Sequence, residues 1–165
     1  LRGGGAGDGG GAGAPVDPQR IAATFDVRPE AARLLAGGED WSVLRLETEP
    51  NTAVGHAAWG PFAAVAADPD APAARGFASW PVLQVAPTDV LTHDGGRRRF
   101  LVVGRDNHRH PASRAVIDAL RKDGCDVVAV DLGWPSEDRR YADVATFGSS
   151  RAVGAALLEL LTAGR

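Results

Sequence analysis

Four carboxylates gather in the second half of the chain: Asp106, Asp131, Glu137 and Asp138. Asp106 follows one short apolar run and Asp131 closes another, which puts them near strand ends, the rim where open α/β sheets bind ligands. Two carboxyl groups held about 5 Å apart can divide a substitution between them, one as acid and one as nucleophile. Against that reading, Glu137-Asp138-Arg139-Arg140 alternates carboxylates with guanidiniums, the pattern of a solvated loop. His108 and His110 share a loop with Asp106, and a His-x-His pair can hold zinc when further ligands converge. No third ligand is visible, so no metal is expected. His110 stands directly before Pro111 and is expected to help cap a helix, or its loop to pack on a neighbouring domain. No serine lies in a G-x-S-x-G context, which leaves acyl transfer without support. Gly5-Ala6-Gly7-Asp8-Gly9-Gly10 spells G-x-G-x-x-G, but no strand leads into it and no helix opens on it. It fails as a dinucleotide loop, and no cofactor is expected.

The elements that must position these residues run from Arg97 to Gly164. Phe100–Val103 is a short apolar, β-branched run, followed by the polar loop GRDNHRHP. A helix is predicted from Pro111, with Ala112, Ala115, Val116, Ala119 and Leu120 at helical spacing, Arg121 and Lys122 in its last turn and Gly124 at its stop. Val127–Leu132 is a second buried strand. Two strands apolar on both faces, joined through a helix, imply a parallel pair with a right-handed crossover. The loop GWPSEDRRYAD then leads into a short strand, VATFG. Ser149 or Ser150 caps a final helix with one stripe of Val153, Ala156, Leu157, Leu160 and Leu161.

Upstream, residues 1–16 form a Gly-rich tail or linker, expected to lack fixed structure, and residues 17–165 form one α/β domain. Two helical pieces are expected at IAATF and PEAARLLA, with Asp26 a possible cap and Pro29 in a first turn. WSVLRLE, residues 41–47, alternates apolar and polar residues as a half-buried strand does, and belongs at or near a sheet edge. The loop after it carries Asn51, Gly55 and Trp59. Residues 63–76 read as a weak helix or surface loop. WPVLQV, residues 80–85, is a third strand that Pro81 confines to an edge or a strand start, and THDGGRRR turns the chain back. The expected fold class is a three-layer α/β/α sandwich on a mainly parallel sheet, flavodoxin-like or Rossmann-like.

The chain has 165 residues, enough for one domain with a sizeable core but short of the roughly 250 of a (β/α)₈ barrel. A net charge of −3 supplies no basic field for nucleic acid or an anionic membrane. No apolar run approaches a membrane span and no signal peptide is visible, so a soluble chain is expected. The single cysteine, Cys125, reads as a small core thiol. The chain lacks methionine and begins with Leu1, which fits the remainder of a longer product.

The succession of strand, GRDNHRHP and helix, then DVVAVDLGWP, then YADVATFGSSRAVGAALLELL resembles the C-terminal α/β domain of glycoside hydrolase family 3, in its β-N-acetylhexosaminidase branch. WSVLRLETEPNTAVGHAAWG looks like the opening strand and loop of that domain, and the turn Ala145-Thr146-Phe147-Gly148 is the most specific part of the likeness. The resemblance covers residues 18 to 165. It implies that the catalytic aspartate and the His-Asp dyad belong to a separate (β/α)₈ barrel, whose signature is absent from this sequence. No residue here is therefore catalytic by carry-over. In other branches the second domain supplies a glutamate, and Glu137 is the only one in a strand-end loop.

Two functions follow as expectations. One is an auxiliary domain that packs on a barrel and shapes its rim. The other is a stand-alone α/β protein binding a sugar or another polar ligand between GRDNHRHP and GWPSEDRR. In either case the contact residues are Arg105, Asp106, Asn107, His108, His110, Trp134, Glu137 and Asp138, and the partners are the barrel and carbohydrate. The chain alone is expected to have no glycosidase activity.

Overall fold

The computed structural model describes residues 16–37, 40–48, 58–89 and 99–164. The element order is α1 (Pro18–Ala22), β1 (Asp26–Val27), α2 (Pro29–Ala36), β2 (Ser42–Leu46), α3 (Gly60–Ala67), α4 (Pro72–Ala78), β3 (Val82–Val85), β4 (Arg99–Gly104), a 3-10 turn (Asn107–Arg109), α5 (Pro111–Lys122), β5 (Asp126–Asp131), β6 (Val144–Ala145) and α6 (Arg151–Thr162). The Gly-rich tail up to residue 15, with its G-x-G-x-x-G string, lies outside the described residues. So do Asn51 and Gly55 and most of the THDGGRRR turn.

The six strands lie in the order β1-β6-β5-β4-β2-β3. Strands β2 to β6 are parallel to their neighbours, and β1 alone runs antiparallel, on β6. Numbered among themselves, the five parallel strands follow 2-1-3-4-5, which is the flavodoxin-like winding rather than the Rossmann one. The central pair behaves as its apolar runs require: β4 and β5 pair from Arg99↔Asp126 to Gly104↔Asp131. Strand β3 is the edge to which Pro81 confines it.

The helical layers are unequal. One face of the sheet, with Val43, Leu101, Val103, Val128 and Val130, packs in one core with residues of α2, α3, α4 and α6. The other face, with Leu44, Phe100, Val102 and Ala129, meets Val116, Ile117 and Leu120 of α5. Proline stands in the first turn of α1 to α5, where a missing N–H is tolerated. Gly124, at φ 75°, turns the chain out of α5 in the left-handed conformation glycine adopts freely. Ser150 is the residue that caps α6, accepting from the Val153 N–H.

Several sequence expectations are corrected. Strand β2 is not half-buried: Val43 to Leu46 are all buried, Arg45 among them, because its charge is answered inside the fold. The first helical piece ends at Ala22, and Asp26 is not a cap but lies in β1, a strand the sequence reading did not contain; Arg28 precedes α2 instead. The stretch from 63 to 76 belongs to two helices, α3 and α4, whose Ala64, Ala74 and Phe77 are buried. VATFG contributes only Val144 and Ala145 to the sheet, since Phe147 turns left-handed just beyond it. The buried face of α5 holds Ser113 and Ile117 beside Val116 and Leu120, while Ala115 and Ala119 face outward.

Candidate functional site

Asp131 closes β5 in the centre of the strand-end rim and is fully buried. Its carboxylate accepts the backbone N–H groups of Asp106 at 2.8 Å, Asn107 at 2.9 Å and Gly133 at 2.7 Å. It thereby ties the loop after β4 to the loop after β5. Burial pushes the Asp131 carboxyl above the usual aspartate value, outweighing the three N–H bonds that favour the anion. Asn107 completes the tie from within: its amide donates to the carbonyls of Val130 at 3.2 Å and Tyr141 at 3.1 Å, and its side chain is wholly buried.

Asp106 takes the left-handed conformation, φ 50°, and its Oδ1 accepts from the backbone N–H of Trp134 at 2.8 Å. A Cβ at Gly133 would stand 2.5 Å from that oxygen, so glycine is what lets the two loops close. Asp106 and Asp131 are thus engaged in backbone hydrogen bonds. Asp138 accepts from the Ser136 hydroxyl at 2.7 Å and from the Arg140 N–H, and the serine bond above all holds its carboxyl below the usual value. Glu137 is exposed on the same turn and engages none of the other described residues. No poised pair of acid and nucleophile results, because each convergent carboxylate already serves the backbone.

The histidines do not form a site either. His108 is half-buried, its carbonyl accepting from Arg114 Nη1 at 2.6 Å, and its Nδ1 is buried without a partner. His110 occupies the position before α5, but its side chain makes no capping hydrogen bond, which corrects the expected role. Among the described residues no three His, Cys, Asp or Glu side chains converge as metal ligands. No helix among them is long and apolar enough to cross a membrane.

What the rim presents outward is aromatic and cationic. Trp134 is 68% exposed and meets Phe147, 43% exposed, edge to face at 5.4 Å between centroids. Phe147 has φ 56°, a left-handed conformation that a bulky residue rarely adopts. Arg139, itself left-handed, lies over the Phe147 ring at 5.2 Å and pairs with Asp26 of β1. Sequence reasoning named Trp134 but missed Phe147 as a surface residue, since an apolar residue after a buried strand reads as more strand.

A second cluster stands over the ends of β2 and β4. The guanidinium carbon of Arg45 is 5.3 Å from the Trp59 ring centroid, and that of Arg105 is 5.0 Å from it. Trp59 is 8% exposed, and Phe62 of α3 meets it edge to face. Arg45 Nε lies 2.5 Å from Glu47 Oε1. Arg105 was expected at the rim; Arg45 and Glu47 were not, because alternation in WSVLRLE assigned Arg45 to solvent.

Comparison with protein families, with curated proteins and with solved structures finds no match to the chain.

Proposed function

We propose that this chain is an auxiliary, non-catalytic α/β domain of a family 3 glycosidase of the β-N-acetylhexosaminidase type. In this reading it packs its strand-end rim on a (β/α)₈ catalytic barrel. The resemblance of its last strands, loops and α6 to that family motivates the reading. The observation that carries it is the rim itself: Asp106 and Asp131 are absorbed by backbone N–H groups, while Trp134 and Phe147 are held outward as a paired aromatic surface. Exposed aromatic pairs of this kind are what partner-binding surfaces enrich. The same Trp134 face could instead take a pyranose ring, the stand-alone reading.

The test is to assay the 165-residue chain beside the product of its complete gene against a chromogenic β-N-acetylglucosaminide. Turnover is expected only where a barrel accompanies the domain, and Trp134→Ser with Phe147→Ser should weaken the domain's hold on that barrel. Enzyme-like turnover by the chain alone, abolished by Glu137→Ala or Asp106→Ala, would overturn the proposal. A saturable N-acetylglucosamine complex lost in Trp134→Ser, with no barrel in the gene product, would favour the stand-alone reading.

A further inference from the structure

In a sheet of this winding the ligand crevice opens at the carboxyl ends of the two strands whose connections leave in opposite directions. Here those strands are β2 and β4: the chain passes from β2 to its neighbour β3 on one side, and from β4 to its neighbour β5 on the other. Arg45, Glu47, Arg105 and the indole of Trp59 meet at this place.

Among the described residues the charges there do not balance. Two guanidiniums share one indole, and like charges so placed repel. Glu47 answers Arg45, which is 8% exposed. Arg105 is half-buried, and among the described residues it makes no hydrogen bond and no ion pair, while its guanidinium lies over the Trp59 face. Asp106, next to it in the chain, is carried away by its left-handed backbone and spends an oxygen on the Trp134 N–H. Asp131 is turned inward to the backbone.

We propose that this switch point binds a small oxyanion, a carboxylate or phosphate group, through the donors of Arg105 that no described residue takes. A guanidinium offers a planar fork of N–H donors that matches either group, and such charge-assisted pairs are the stronger hydrogen bonds. The Trp59 face fixes the fork in advance, so that little side-chain freedom is lost on binding. Glu47 keeps Arg45 neutralised, leaving among the described residues one positive charge for the ligand. A neutral sugar would satisfy the donors but not the charge. This site uses residues other than the Trp134–Phe147 pair and does not depend on a barrel partner.

The proposal is tested by calorimetric titration of the full chain with inorganic phosphate, with glucuronate and with neutral glucose. Saturable binding of phosphate, glucuronate or both is expected, and the arm that binds identifies the head group. Arg105→Gln should weaken it about ten-fold or more, Arg105→Lys should weaken it less, and Arg109→Gln, which removes an exposed cation outside the cluster, should leave it unchanged. Circular dichroism establishes that each variant is folded, and if Arg105→Gln is not, Arg105→Lys decides. Absence of saturable binding to either oxyanion overturns the proposal, as does glucose binding as tightly as glucuronate or equal loss in Arg109→Gln.

Discussion

Asp131 is the residue on which the rim depends, and its ionisation makes a signed prediction. Its carboxyl is raised above 3.8 by burial. A group whose pKa is raised on folding holds its proton more tightly in the folded chain. Its contribution is therefore full below the unfolded value and is lost as pH rises through the folded one. Asp131→Asn removes that contribution and sets an amide against N–H donors, at a cost of about 1–3 kcal/mol at neutral pH. The deficit of the variant should accordingly shrink as pH rises from 3.8 through the folded value. Urea unfolding across this range measures it, and a deficit that grew with pH would contradict the argument. Phe147 gives a second test. At φ 56° a side chain strains the backbone, so Phe147→Gly should be more stable than Phe147→Ala by about 1 kcal/mol, the reverse of the order at an ordinary surface site. Equal denaturation midpoints for the two would remove the strain. Neither fact was legible in sequence: Asp131 could be placed at a strand end, but two of its three donors, Asp106 and Asn107, come from a loop some distance away in the chain, and positive φ leaves no mark on a phenylalanine.

At the scale of elements the apolar runs and the prolines were informative, because they express local preferences. The strands β3, β4 and β5 and the starts of α2, α5 and α6 follow from them. Strand β1 did not, since two residues become a strand only through β6, far along the chain. Arg45 misled the reading of β2 because alternation marks polarity and not the partner that allows burial. The helices α3 and α4 were undervalued for a related reason: apart from Phe62 in α3 and Phe77 in α4 their apolar faces are mostly alanine, a signal too weak until Trp59 and Trp80 pack against those two rings. The contact between α3 and α6 carries a prediction that opposes helix propensity. Gly154→Ala in an exposed helix would gain about 1 kcal/mol. Here a Cβ would meet the Gly60 carbonyl oxygen at 2.0 Å, so the substitution should destabilise, by about 1–3 kcal/mol as overpacking does. A raised melting temperature in Gly154→Ala would show that the two backbones are not in contact.

For the whole molecule, one sheet offers one rim, and its two convergent acids, Asp106 and Asp131, are spent on the rim's own loops. The chain by itself should show no enzyme-like hydrolysis of a β-N-acetylglucosaminide, as measured by release of the chromophore over a buffer control. The fold class could be read from the sequence because buried parallel strands, helices and their spacing are properties of segments. The aromatic pair and the Trp59 cluster could not, because they depend on which loops the strand order brings together. The same order has a consequence for synthesis. Asp26 and Val27 find their register on Ala145 and Val144, and α1 rests on α6. The earliest described segment therefore has no place to settle until the latest one has arrived. On a ribosome it must wait through the making of the central sheet, and the fold closes last along this seam. Trimming the chain before β6 should release α1 and β1 as well, so that loss at one end unravels the other.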